Sequence, residues 1–400
     1  MDFDDTKEEA AFREEVRAWL KENARARDSG QISTSHSFMD FDEIFVTEGK
    51  KWQRRIYEGG WAGITWPVEV GGRGGTFVEA MIFRQEEARF DVASGLFAVG
   101  IGMAGPTIIG HGTDEQRRRY LPAMLRGEEV WCQLFSEPGA GSDLASLSTR
   151  AERDGDEWVV NGQKVWSSGA HHSDLGILLA RTDLDLPKHR GITFFILDMR
   201  SPGVEVRPLR QMTGGATFNE VFFTDVRVPA ANVVGEVNGG WRATMTTLAN
   251  ERSASGGTST FPQVLQLARA CGATTDAVIR QRLAGCYIKH EIARYLGFRI
   301  QTALSKGMSS PETSVAKLLF ALVSKETTEL TIALQGPRGM LSGEAAPAHG
   351  YWQQQFLAAP SYRIAAGSDE VQRNIIGERV LGLPGDIRVD KDVPFRDLVR

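Results

Sequence analysis

Apolar residues fall at three- and four-residue intervals near the start of the chain. From Glu8 to Asn23 the charged positions are interrupted by Phe12, Val16, Trp19 and Leu20, the single stripe of a surface helix. Thr113-Asp114-Glu115-Gln116 reads as the capped start of another helix, and Glu69 to Gly75 as a glycine-rich loop. Near Val130 the period changes. Trp158-Val159-Val160 and Gln163-Lys164-Val165-Trp166 flank Asn161-Gly162. That dipeptide predicts a two-residue hairpin turn, and Asp154-Gly155 offers a similar turn just before it. Short β-prone runs follow at Ile177–Ala180, Ile192–Leu197, Val204–Val206, Val221–Phe223 and Val226–Val228. Many short strands without intervening helices predict an antiparallel barrel or sandwich. Beyond Gly239-Gly240 a four-residue period takes over, and Ala284, Ile288, Ile292, Leu296, Ile300 and Leu304 form a long apolar face suited to helix packing. Ser253–Thr275, rich in small and polar residues, reads as a loosened connection. The order is helices, a β block, then helices.

Charge and composition narrow the function classes. The 46 Lys and Arg against 51 Asp and Glu give a net charge of −5, without the basic excess that drives nucleic-acid binding. Cys132, Cys271 and Cys286 form no C-x-x-C pair, so neither a disulfide framework nor a zinc site is expected. The acidic start Met1-Asp2-Phe3-Asp4-Asp5 lacks the basic and apolar regions of an export signal, and a reducing, cytoplasmic setting is the expectation. Val92 to Thr113 carries no Asp, Glu, Lys or Arg over 22 residues. Its glycines and Pro106 favour a buried core helix and a turn over a membrane span.

Dinucleotide, P-loop and zinc-peptidase motifs are absent from the sequence. His171-His172 reads as a surface turn, because no further ligand cluster accompanies the pair. Gln133-Leu134-Phe135-Ser136-Glu137-Pro138-Gly139-Ala140-Gly141-Ser142-Asp143 is a strand ending in a tight small-residue turn. Its N–H groups and hydroxyls suit a phosphate, a carbonyl or a ring edge, although a plain capped turn would look the same. Trp166-Ser167-Ser168-Gly169 adds an aromatic face and a hydroxyl suited to a flat cofactor.

With these segments and Asn161-Gly162-Gln163-Lys164, Gly239-Gly240-Trp241, Glu251-Arg252, Gln335-Gly336 and Ala366-Gly367-Ser368-Asp369-Glu370-Val371-Gln372-Arg373 in order, nearly the whole chain resembles the acyl-CoA dehydrogenase family. The resemblance implies an α+β fold: an N-terminal helical domain (1–126), a middle antiparallel β domain (127–236) and a C-terminal four-helix bundle (237–400). It implies noncovalent FAD held by Gln133, Phe135, Ser136, Trp166, Ser168, Ser368 and Glu370. Ser142 would face both flavin and coenzyme A, Arg252 the pantetheine, and Gly367 the substrate. The implied reaction removes the α-proton of an acyl-CoA thioester while the β-hydrogen leaves as hydride to flavin N5, giving a 2,3-enoyl-CoA. Electrons would then pass to an electron-transfer flavoprotein.

Two departures refine the resemblance. Many members carry the catalytic Glu just before the glycine of the terminal motif, where this chain has Ala366. Isovaleryl- and long-chain-type members place it on a bundle helix before an Arg, which here is Glu251. Desolvation would raise that carboxylate's proton affinity enough for it to act as a base, whereas an isolated Glu-Arg pair would be an ordinary exposed ion pair. The Ala366 N–H would still support the thioester oxygen. In homotetrameric members a neighbouring subunit brings an Arg-x-x-Phe-Gly segment to the adenine, but here the region reads Gln266-Leu267-Ala268-Arg269-Ala270-Cys271-Gly272. Gly336 would keep part of that contact. This pattern is similar to the heterotetrameric dehydrogenases of bacterial steroid side-chain breakdown, leaving a homotetramer and an α2β2 heterotetramer as the expected assemblies. A same-fold flavin oxidase or monooxygenase, and an FAD-supporting subunit of a heteromer, stand as alternative functions. The acyl pocket, for which Phe97, Val99 and Met103 are candidates, does not reveal its chain length.

Overall fold

The computed structural model describes residues 5–27, 41–253, 259–306, 311–387 and 390–398. Its helices are α1 (Lys7–Asn23), α2 (Glu43–Glu58), α3 (Phe77–Glu87), α4 (Gly105–His111) and α5 (Asp114–Leu125) before the strands. The strands are β1 (Trp131–Leu134), β2 (Arg150–Asp154), β3 (Glu157–Lys164), β4 (Leu175–Arg181), β5 (Ile192–Asp198), β6 (Val204–Pro208) and β7 (Asn219–Pro229). After them come α6 (Gly240–Ser253), α7 (Phe261–Ala270), α8 (Ala277–Ser305), α9 (Thr313–Gln335), α10 (Tyr351–Ala358) and α11 (Asp369–Ile375). Backbone contacts divide the chain into two compact units. One comprises residues 1–35, 76–91 and 252–385, and the other 36–75, 92–251 and 386–400.

In the first unit, α1 and α3 both start from capping boxes. Thr6 with Glu9, and Thr76 with Glu79, each satisfy two N-terminal donors. Phe12, Val16 and Leu20 are buried, as the sequence spacing predicts. The core of the later helices gathers Val264, Leu267, Leu283, Cys286, Leu330, Leu334 and Trp352. Two expectations are corrected here. Part of the supposed connection between Ser253 and Thr275 is α7, whose amphipathic pattern from Phe261 buries Val264, Leu267 and Ala268; residues 254–258 lie outside the described residues. The apolar face of α8 is not buried along its length, because Ile288 and Ile292 are exposed whereas Ile300 is buried. A strict four-residue period overshoots the 3.6-residue turn, so the stripe winds around the helix by about 160° between Ala284 and Ile300. The inward positions are Leu283, Cys286, His290 and Ile300.

In the second unit a seven-stranded sheet runs β1-β4-β2-β3-β7-β6, with β5 on β4. Most pairings are antiparallel, but β1 and β2 both pair parallel to β4, so the sheet is mixed. The segment from Phe135 to Asp174 carries the chain between β1 and β4, long enough for a parallel return. The predicted turn at Asn161-Gly162 is not a turn. β3 runs straight through it with a bulge between Val160 and Gly162, and the hairpin turns at Asp154 to Glu157. Val221–Phe223 and Val226–Val228 are likewise one strand, β7. Alternate residues of these strands, including Ala151, Trp158, Val160, Leu178, Phe195, Val221 and Val226, form the core. The charge-free stretch from Val92 contains a π-helical turn at Gly100–Ala104 leading into α4. Among the described residues no helix is long and apolar enough to cross a membrane. The tail from Asp386 returns to its unit: Phe395 packs under the Arg181 guanidinium at 3.7 Å, and Asp390 pairs with Lys188 at 3.0 Å.

Candidate active site

In the second unit, β1 delivers Gln133, half-buried, and runs on into Phe135, buried, and Ser136. The Glu137–Asp143 turn follows, folded on itself by reciprocal backbone bonds between Glu137 and Ala140. A Cβ at Gly139 or Gly141 would meet nothing within 4 Å, so this backbone is open to a ligand. Ser142 stands exposed beside them.

A buried ion pair fixes this turn to the next loop. The Lys164 ammonium donates to the Phe135 carbonyl at 3.0 Å and to Glu137 at 2.8 Å. Glu137 also accepts from the N–H groups of Ser148 and Thr149, at 2.6 and 2.8 Å. Burial pushes the Lys164 pKa down to about 8 against the pull of Glu137. Burial alone would raise the Glu137 pKa, but Lys164 outweighs it and holds the carboxyl low. The Val165 N–H donates to the Ser136 carbonyl at 2.9 Å. The residues that follow therefore stand at a fixed place relative to the end of β1.

Those residues are Trp166, Ser167 and Ser168. Trp166 has a left-handed backbone (φ 62°) and an indole 60% exposed, a strained and solvated position for so large a ring. Phe218 meets it edge-on at 5.9 Å. The Asn219 amide donates to the carbonyls of Ser167 and Thr217, at 2.9 and 3.0 Å. Gly169 donates to the Thr217 carbonyl at 2.8 Å; its φ is 64°, and a Cβ there would fall 2.5 Å from the Phe41 ring. His171 and His172 form a 3-10 turn with ring centroids 4.2 Å apart. They are not on a strand, and the described residues hold no cluster of His, Cys, Asp or Glu suited to a metal.

Glu251 stands near the end of α6, half-buried. It follows Thr247 by one turn on the face that buries Thr244 and Thr247. Thr247 bonds Thr107 at 2.8 Å and Thr246 bonds His111 at 2.8 Å, tying α6 to α4 within this unit. The Arg252 side chain lies outside the described residues.

In the first unit, Ala366 and Gly367 both have positive φ, 54° and 89°. Among the described residues the Ala366 N–H makes no hydrogen bond, which leaves a donor on a half-buried turn. Gln372 donates to the Ala366 carbonyl at 2.8 Å, and Lys317 to that of Gly367 at 2.5 Å. Ser368 caps α11 through the Val371 N–H, and Glu370 is exposed in its first turn. Gly336 ends α9 with φ 55° and ψ −135°, a conformation that favours glycine.

The chain matches three consecutive family models: acyl-CoA dehydrogenase N-terminal domain over residues 6–128, middle domain over 132–226 and C-terminal domain over 238–381. It belongs to the acyl-CoA dehydrogenase family. As a member it is an oxidoreductase acting on acyl-CoA. It is 38% identical to acyl-CoA dehydrogenase IpdE1 of Mycobacterium tuberculosis, across 94% of this chain and 98% of that protein. Among solved structures it is similar to the Tcur3481-Tcur3483 steroid ACAD, with a TM-score of 0.85 at 30% identity over 96% of this chain and all of that one. It is also similar to the ChsE4-ChsE5 complex of Mycobacterium tuberculosis, with a TM-score of 0.77 at 29% identity over 96% and 100% of the two chains.

The donor set fits the flavin nucleotide that this family implies. The hydroxyls of Ser136, Ser142 and Ser168 and an exposed indole suit a flat, hydrogen-bonding ring with a polar tail. The supports beneath were not legible as functional residues. Lys164 stood inside a recognisable motif, but nothing in the string marked it as the tie to Phe135 and Glu137. Gln372 likewise stood inside the terminal motif without a role, and Asn219 and Lys317 carried no signal at all, because each acts by holding another residue's carbonyl.

Proposed function

We propose that this chain is an FAD-dependent acyl-CoA dehydrogenase that converts an acyl-CoA to its 2,3-enoyl-CoA, with Glu251 as the base. The strongest support is the terminal turn, where Ala366 offers an N–H without a partner among the described residues and no carboxylate. A base must then come from elsewhere, and Glu251, on the threonine-anchored face of α6, is the carboxylate at the position the helix-borne type uses. Gln133, Phe135, Ser136, Ser142, Trp166, Ser168, Ser368, Glu370 and Gly336 would hold FAD, with part of the contact near Gly336 shared with a neighbouring subunit. Bound there, FAD would accept the β-hydrogen as hydride. Glu251 takes the α-proton, and the Ala366 N–H supports the negative charge that grows on the thioester oxygen as that proton leaves. Arg252 and Ser142 orient the coenzyme A arm, and Gly367 permits close approach of the substrate.

Glu251→Gln keeps the shape of the side chain and removes the base. Turnover with a ferricenium acceptor is expected to fall by about a thousandfold or more, with the flavin absorbance retained. Unchanged turnover would refute the assignment.

For assembly we propose a tetramer containing a second acyl-CoA dehydrogenase-like chain. The absent Arg-x-x-Phe-Gly segment and the paired chains named in the similar structures support this reading. Electron-transfer flavoprotein is the proposed acceptor and the cytoplasm the proposed setting. The small Ala366 leaves room near the α-carbon, which permits a branched or ring-bearing acyl-CoA as substrate. Isolated protein that forms a homotetramer with four bound FAD would overturn the heteromer.

A further inference from the structure

Lys317 is a buried lysine that the proposed reaction does not use. It sits in the first turns of α9 at 5% exposure, where an ammonium needs a compensating role. Its single hydrogen bond among the described residues is to the Gly367 carbonyl, at 2.5 Å. Around the same turn, Arg363 pairs with the buried Asp369 at 2.7 Å. Two cations thus face one buried carboxylate, since Glu370 is solvated. The turn they hold is strained: Ala366 carries a Cβ in the left-handed region, which a residue other than glycine rarely adopts. Such a conformation persists only where its surroundings impose it. Gln372 on the Ala366 carbonyl and Lys317 on the Gly367 carbonyl are the two clamps, one on each successive peptide plane.

We propose that Lys317 is a positioning residue for the thioester carbonyl: its bond to Gly367 holds the Ala366 N–H in place, and its fixed positive charge lowers the energy of negative charge on the oxygen that N–H receives. The proposal rests on the reading that Ala366 receives the thioester oxygen. A neutral thioester gains little from a nearby cation, whereas the enolate-like oxygen formed as Glu251 removes the proton gains much more. Lys317 therefore acts on the transition state and little on ground-state binding. Lys317 belongs to no motif in the sequence, and its role emerges only from the bond to the turn.

The test uses the FAD-loaded enzyme and acetoacetyl-CoA, whose enolate places charge on the same carbonyl system. Its ionisation when bound is read from enolate absorbance against pH. Wild-type protein is expected to lower the pKa of the bound ligand, Lys317→Met to raise it again by about one unit or more, a tenfold loss of enolate stabilisation, and Lys317→Arg to stay near wild type. With a turned-over acyl-CoA, Lys317→Met is expected to lose about 10- to 100-fold in kcat with KM within about twofold. If Lys317→Met does not accumulate as folded protein, Lys317→Gln, which keeps a donor and removes the charge, is expected to show the same rise. A folded variant that ionises acetoacetyl-CoA as wild type does would overturn the role of Lys317. Failure of the wild-type enzyme to promote the enolate would instead overturn the reading of Ala366, and the proposal with it.

Discussion

At the scale of single residues, Glu86 on α3 is held among guanidinium groups. Its side chain is wholly buried, accepts from Arg13 at 2.9 Å and Arg17 at 2.8 Å, and pairs with the Arg89 charge at 3.1 Å. Burial alone would raise its pKa, but the bonds from Arg17 and Arg13 outweigh that and hold it below the usual carboxylate range. A carboxyl with a depressed folded pKa contributes stability that is fully present above its unfolded value. That contribution is lost as pH falls through the folded value. Glu86→Gln leaves three guanidinium groups around a neutral amide, and the cost at neutral pH is expected to be on the order of 3 kcal/mol. Urea unfolding of both proteins at pH 7 and near pH 3 checks this. The gap between the midpoints should narrow at the acid end, and a gap independent of pH would show that packing, not charge, makes Glu86 necessary.

At the scale of elements, the bulge in β3 separates what is readable from what is not. Gly162 has a φ of 151°, and a Cβ there would fall 2.6 Å from the Thr149 hydroxyl and 2.7 Å from its Cα. Gly155, at the real hairpin turn, has a φ of 61° and open space around it. Gly162→Ala is therefore expected to cost about 3 kcal/mol from strain and overlap together, and Gly155→Ala about 1 kcal/mol from backbone conformation alone. Thermal melts of the two variants should rank in that order; the reverse would place the turn at Asn161-Gly162 after all. Both dipeptides satisfy the local requirement for a turn, and only the neighbour at Thr149 decides between them. The same limit applies across the chain. The stripe of α1, the cap of α5 and the succession of helices and strands were legible because they follow from adjacent residues. The parallel pairing of β1 with β4 and the inward face of α8 were not, because both depend on partners distant in sequence. In the site, Trp166 and the Ser136–Asp143 turn were visible as chemistry, whereas Lys164, Asn219 and Gln372 became visible only through the carbonyls they hold.

At the scale of the whole molecule, the exposed side of α8 bears directly on the proposed assembly. Tyr287, Ile288, Ile292 and Tyr295 are 48, 55, 51 and 45% exposed along about two turns of one helix. A cluster of large apolar side chains at that spacing costs solvation free energy in an isolated chain and is the kind of surface that the proposed assembly would cover. A second acyl-CoA dehydrogenase-like chain is the partner that agrees with the proposed tetramer. Replacing Ile288 and Ile292 with Lys would force two charges into that contact, at a cost that a few hundred Å² of apolar burial cannot offset. The double variant is expected to shift from tetramer to smaller species in light scattering, with its melting temperature little changed, since both positions are solvated within the chain. FAD content is the second readout. If a neighbouring subunit completes the cofactor site near Gly336, the ratio of flavin to protein absorbance should fall in step with dissociation. A variant that dissociates and keeps its full flavin would assign the whole site to one chain, and a variant that stays tetrameric would move the interface away from α8.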